Sequence, residues 1–188
     1  SSAASDVYKR QVLVVGGSLG TRTLNEAMKA HADEIVREGR FQVIWQTGKY
    51  YEREMDEFMR GRDARGIWRG AFIERMDLAY AAADVVVARS GAGTVSELCL
   101  VGKTVVFVPS PNVAEDHQTK NAMALADRGA ALVVPDREAV ARVFSEAGRL
   151  LADDAVRSEM EKNIRALAVA DSADRVADEI LKVVKRSE

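Results

Sequence analysis

The 188-residue chain has one cysteine and two histidines, too few of either to build a site on. A lone Cys99 excludes an internal disulfide framework and fits a reducing cytoplasm. With so few His and Cys, no metal-ligand spacing exists, and no metal is expected. An excess of one charge is also missing. The 27 Lys and Arg against 29 Asp and Glu leave a net charge of -2, which gives no support for a nucleic-acid partner, where a clustered basic face is needed. No apolar run approaches the ~18 residues of a membrane span. The N-terminus shows no apolar stretch of the kind a signal peptide carries. Internal repeats and low-complexity segments are absent. So are two catalytic patterns. Gly16-Gly17-Ser18-Leu19-Gly20 fails the G-x-G-x-x-G spacing, and no acidic residue caps the second strand at Trp45-Gln46, which argues against a nicotinamide or flavin cofactor. Ser90 lies outside any G-x-S-x-G pattern, which disfavours hydrolase chemistry.

What is present is one core's worth of apolar sequence, 47% of the residues, in strand-like and helix-like runs that alternate along the chain. VLVV (12–15), 41–45, 66–72, 84–88, TVVFV (104–108) and 131–134 read as strands. Leu24, Ala27, Met28, His31 and Ile35 recur at helical spacing before Gly39. Further helices are expected on Tyr51, Met55, Phe58 and Met59, over 76–83, from the second glycine turn to Gly102, and over 116–128. Three more helical stripes follow, on Val140 to Leu151, on Val156 to Leu167, and on Val176, Ile180, Val183 and Val184. Asp136, Asp153 and Ser172 are their expected N-caps. The fold class is α/β, a Rossmann-like open parallel sheet of about six strands with helices on both faces, whose ligands bind beyond the carboxyl ends of the strands. Residues 1–11 are polar, match no element period and are set aside as a tag, linker or artefact. The domain is placed at 12–188. So abrupt a start at a core strand suggests a fragment with natural sequence missing upstream.

Two glycine-rich turns each follow an apolar strand and open a helix, Gly16 to Thr21 and Ser90 to Thr94. Small residues let a backbone approach an anion, and the first-turn amides and helix dipole favour negative charge there by roughly 0.3–2 kcal/mol. Two such cradles on one sheet suggest a nucleotide diphosphate. The bland reading of the first is a tight turn that needs glycine for its backbone angles. Thr94-Val95-Ser96-Glu97 also spells a capping box, in which Glu97 would only start the helix. The alternative has Thr94 and its neighbours hold phosphate while Glu97 accepts hydrogen bonds from two ribose hydroxyls. Spacing does not choose between them. Glu115 to Asn121 packs polar residues into the loop after a buried strand, where specificity groups sit. Gln118 and Asn121 share a helical face. Asp116 serves equally as an N-cap, Lys120 as a solvated charge, and Cys99 and His31 as packing residues.

VLVVGGSLGTRTLNEA, FIERMDLAYAAADVVVARSGAGTVSEL and VPSPNVAEDHQTKNA together resemble the carboxyl-terminal domain of the MurG family, bacterial GT-B enzymes of glycosyltransferase family 28. These add N-acetylglucosamine to a lipid-linked muramyl-pentapeptide, lipid I to lipid II, in peptidoglycan synthesis. The resemblance implies a UDP-N-acetylglucosamine site. Ser18 and the backbone of Ala92, Gly93 and Thr94 would face the diphosphate, in a first turn that includes Val95 and Ser96. The Ile73 backbone would read the uracil, Glu97 the ribose, and Gln118 with His117 the sugar hydroxyls. It also implies inversion by direct attack of the acceptor hydroxyl. The general base, the acceptor site and the contact with the cytoplasmic face of the plasma membrane would then lie in an amino-terminal domain absent here. The catalytic residue is therefore unknown, the isolated domain is expected to be inactive, and Val176, Ile180 and Val183 are expected to leave an exposed apolar strip. Two other readings stay open. One is another UDP-sugar enzyme of similar build, such as an epimerase. The other is a non-catalytic nucleotide-binding module. Against a receiver domain, Asp84 stands at the start of its strand.

Overall fold

The computed structural model describes residues 9–112 and 116–171, together with residues 175, 177, 178, 180 and 182. Its strands β1 (Arg10–Val15), β2 (Phe41–Gln46), β3 (Ile67–Gly70), β4 (Val85–Ala88), β5 (Thr104–Phe107) and β6 (Leu132–Val133) form one sheet in the order β3-β2-β1-β4-β5-β6. All five pairings are parallel. Side chains alternate across the pleat. Val12, Val14, Val43, Trp45, Val85 and Val87 enter one apolar cluster, while Leu13, Val15, Val86, Ala88, Val105 and Phe107 enter the other. The strands read as continuous apolar runs because both faces are covered.

The first face is covered by α1 (Arg22–Glu38), α2 (Glu52–Met59) and α6 (Ala139–Ala152), through Met28, Met55 and Phe144 among others. The second is covered by α3 (Met76–Ala82), α4 (Ala92–Val101) and α5 (His117–Ala126), through Tyr80, Leu98 and Leu125. Helix α7 (Asp154–Arg165) sends Met160 to the first cluster and Ile164 to the second. Fully burying side chains of this size contributes about 1.5–3 kcal/mol each.

Three expectations are corrected. Strand β1 starts two residues before the apolar run, because the Asp84 carboxylate accepts from Arg10 Nη1 (2.9 Å) and from the Gln11 amide (2.7 Å). Asp136 does not cap α6. A single 3-10 turn over Asp136–Glu138 precedes that helix, and Glu138 takes the cap position without a side-chain bond. The polar start of α5 also departs from a cap, since Asp116 precedes it in the left-handed region at φ 55° with no side-chain cap bond. Asp153 does cap α7, accepting from Val156 N–H at 3.0 Å. Ser172, Val176, Val183 and Val184 lie outside the described residues. Ile180 is exposed.

At the carboxyl edge the first glycine turn is seated against the turn after β2. Lys49 N–H donates to the Ser18 carbonyl (3.1 Å) and Tyr50 N–H to the Leu19 carbonyl (3.3 Å). Gly20 and Gly48 lie at the seam, and a Cβ on Gly48 would overlap the Cα of Gly20. Gly17, also left-handed at φ 82°, faces open space instead. Gly17→Ala should therefore cost only backbone strain, about 1–2 kcal/mol. Gly48→Ala should cost about 1–3 kcal/mol more through overlap. Urea unfolding of the two variants measures the difference.

Candidate functional site

Strands β1 and β4 are neighbours, with Val15 level with Ala88. The two glycine turns therefore leave the sheet side by side, at the point where strand order reverses and ligands enter such sheets. Between them opens a crevice of about 530 Å³, lined by Gly16, Gly17 and Thr21 of the first turn, Gly91 and Thr94 of the second, and Ser110 and Gln118. The first turn is closed by Thr21 Oγ1 donating to the Gly16 carbonyl at 2.8 Å.

The second turn does not form the capping box. Gly91, extended at φ -63° and ψ 150°, is the N-cap, so Thr94 already lies in the first turn of α4, and no side chain caps the helix. The first helical bond runs from Val95 N–H to the Gly91 carbonyl at 3.0 Å. The N–H groups of Ala92, Gly93 and Thr94 have no intrahelical acceptor. No atom lies within 4 Å of a Cβ built on Gly91 or Gly93, so the flank of the turn at these two positions is open.

Glu97 instead extends from the exposed side of α4, where its Oε2 accepts from the Tyr80 hydroxyl of α3 at 3.1 Å. Tyr80 is 6% exposed, and burial, reinforced by the Glu97 charge and hydrogen bond, raises its hydroxyl well above the ordinary phenol range. Ile73, in the loop after β3, buries its side chain in the same cluster as Tyr80 and Val15.

The start of α5 is fastened to both neighbouring loops. The buried Ser90 hydroxyl donates to the Gln118 carbonyl (2.7 Å), Asn121 Nδ2 donates to the Ser90 carbonyl (3.0 Å), and Ser110 N–H donates to Gln118 Oε1 (3.0 Å). The amide oxygen of Gln118 is thus engaged, and its Nε2 makes no hydrogen bond among the described residues. Of the site residues read from sequence, Thr94 and Gln118 line the crevice. Ser18, Ala92, Gly93, Glu97 and His117 stand exposed on the same turns and helix starts. Val95 and Ser96 do not join them and line a separate hollow with Cys99 and Leu125. Cys99 is buried, which pushes its thiol up. Half-buried His31 packs against Phe144 of α6 and is not part of the crevice lining.

Sequence reasoning missed a polar clamp in the crevice wall. Arg89, the residue after β4, donates to the carbonyls of Val108 (2.8 Å) and Pro109 (3.0 Å), and its Nη1 lies 2.5 Å from Asp136 Oδ1. The last contact is a charge pair without hydrogen-bond alignment, since that oxygen has no hydrogen-bond partner among the described residues. Thr23 on α1 completes the clamp, donating to Asp136 Oδ2 at 3.1 Å. Residues so distant in sequence leave no spacing signal. Arg22, which also lines the crevice, did leave one, because a base stands where a helix start favours an acid.

The profile of the "Glycosyltransferase family 28 C-terminal domain" matches residues 11–176. The chain is 46% identical over 178 residues to the "UDP-N-acetylglucosamine--N-acetylmuramyl-(pentapeptide) pyrophosphoryl-undecaprenol N-acetylglucosamine transferase" of Parabacteroides distasonis, covering 95% of this chain and 48% of that protein. The chain thus spans about half the length of the curated relatives it matches. The crystal structure of Acinetobacter baumannii MurG superposes at a TM-score of 0.79 with 32% identity, over 93% of this chain and 50% of that one. A solved UDP-N-acetylglucosamine 2-epimerase, at 17% identity and a TM-score of 0.62, shares the fold alone.

The Tyr80 hydroxyl supplies a test of how α3 holds Glu97. A pKa raised on folding means that the native state keeps its proton longer, so stability is full below the unfolded phenol value of about 10 and falls as pH rises beyond it. Tyr80→Phe should flatten that alkaline fall. Denaturant titrations from neutral pH to above about pH 10 check it, and an unaltered slope would assign the fall to other groups.

Proposed function

The chain belongs to the glycosyltransferase family 28 C-terminal domain family, and on that premise we propose that it is the donor-binding half of an inverting transferase. That enzyme moves N-acetylglucosamine from UDP-N-acetylglucosamine to a lipid-linked muramyl-pentapeptide in peptidoglycan synthesis. One observation carries this reading. Two glycine turns flank one crevice, lined by Gly91 and Thr94 at the start of α4, where the first-turn amides have no intrahelical acceptor.

In this reading those amides, the Thr94 hydroxyl and Ser18 bind the diphosphate, and the dipole of α4 favours its charge. The Ile73 backbone pairs with the uracil edge, its side chain anchored in the core. Glu97, oriented by Tyr80, accepts from the ribose hydroxyls. With its oxygen held by Ser110, Gln118 donates from Nε2 to the sugar, beside His117. Val95 and Ser96 serve the helix rather than the ligand, since they face another hollow.

As the acceptor hydroxyl bonds to the anomeric carbon, the bond from that carbon to the terminal phosphate oxygen breaks and UDP leaves. The first-turn amides of α4 then stabilise the charge gathering on the diphosphate. The base that takes the hydroxyl proton, the acceptor site and the contact with the cytoplasmic membrane face belong to the other half of the longer enzyme. Within the described residues no helix is long and apolar enough to cross a membrane.

Equilibrium binding to the full-length enzyme tests the reading. UDP-N-acetylglucosamine should bind more tightly than UDP-glucose or GDP-sugars. Glu97→Gln should weaken UDP binding about tenfold or more, the scale of a lost charge-assisted hydrogen bond, with the melting temperature unchanged. A preference for guanine nucleotides, or full UDP affinity in the variant, would overturn it.

A further inference from the structure

Only three charged side chains are among the described residues lining the crevice: Arg22, Arg89 and Asp136. Arg89 and Asp136 form the ion pair of the wall, and the Arg89 guanidinium is further occupied by the Val108 and Pro109 carbonyls. Those two charges offset each other. The net charge of the lining is then that of Arg22.

Arg22 occupies the first position of α1, directly after the glycine turn. It is exposed, and it makes no hydrogen bond or ion pair with any described residue. Its placement runs against helix electrostatics, since a cation at a helix start meets the positive end of the dipole. No acidic residue in the first turn of α1 relieves it. Arg22 therefore has no hydrogen-bond or ion-pair partner among the described residues, and it stands where two helix starts, α1 and α4, already favour an anion. A group that raises the energy of the empty protein and is relieved by a bound anion marks a binding residue.

We propose that Arg22 is a diphosphate-binding residue, its guanidinium pairing with the phosphate oxygens of the uridine diphosphate held at the α4 start. The inference rests on the donor-site reading above and adds the side chain that carries the charge. Guanidinium suits the task because it presents paired N–H groups to neighbouring phosphate oxygens and stays charged at any working pH. As the glycosyl bond breaks and charge collects on the leaving diphosphate, a cation at this position strengthens its hold.

The test compares uridine, UMP and UDP binding to the full-length enzyme and to its Arg22→Gln and Arg22→Lys variants, by displacement calorimetry. In the native enzyme affinity should climb from uridine to UDP. In Arg22→Gln that climb should shrink by about ten- to one-hundredfold with uridine affinity unchanged, and Arg22→Lys should recover part of it. The glutamine variant should melt at or above the native temperature, because a cation leaves a helix start. An unchanged climb in Arg22→Gln overturns the proposal. So does an unchanged climb with a raised KM for the lipid-linked acceptor alone, which would assign Arg22 to the acceptor's own diphosphate. A native enzyme that gains nothing from uridine to UDP would instead sink the donor-site reading itself.

Discussion

The carboxyl edge of the sheet is organised by the parallel pairing of β1 with β4. With Val15 level with Ala88, the chain turns away from both strands at the same height and in the same direction. Pairing holds that register because every residue from Val12 to Val15 is buried on one face or the other, and a slip of one position would exchange the two faces. From this one adjacency follow the crevice, its backbone donors and the approach of both flanking turns. The turn after β2 closes in from one side through the Gly20 and Gly48 backbones. From the other side the loop after β5 is drawn in by Ser110 and by the Arg89 guanidinium.

Much of this was legible in the chain because its signals are local and repeat. Apolar runs bounded by glycine marked the strands, helical spacing marked α1 and α6, and the motif resemblance identified the family. What escaped was non-local. Arg10 and Gln11 look like a polar leader until Asp84, brought alongside by the fold, bonds to both. Asp136 has the form of a helix cap, but Arg89 and Thr23 claim it first. Thr94 and Glu97 keep the spacing of a capping box, yet Gly91 starts the helix three residues earlier in sequence, which leaves Glu97 to meet Tyr80 from another helix. In the last two cases a local capping preference worth about 1 kcal/mol yields to a tertiary partner.

The site combines two kinds of support. Backbone amides and helix starts give it a fixed polarity that no side-chain motion can remove, while Glu97 and Gln118 are each held by one buried or backbone partner, Tyr80 and Ser110. Holding a polar side chain in one orientation before a ligand arrives removes much of the ordering cost of binding. The same logic extends to Ile73 in the proposed site, where an apolar side chain anchored in the core would fix the main chain proposed to meet the uracil.

The bonds from Ser90 to Gln118 and from Asn121 back to Ser90 join the start of α5, which in the proposed site bears the sugar-binding groups, to the end of β4, beside the groups proposed for the diphosphate. These two sets of groups form a single rigid gauge. Any molecule that engages both must match a span set before it arrives, so the protein measures length as well as chemistry.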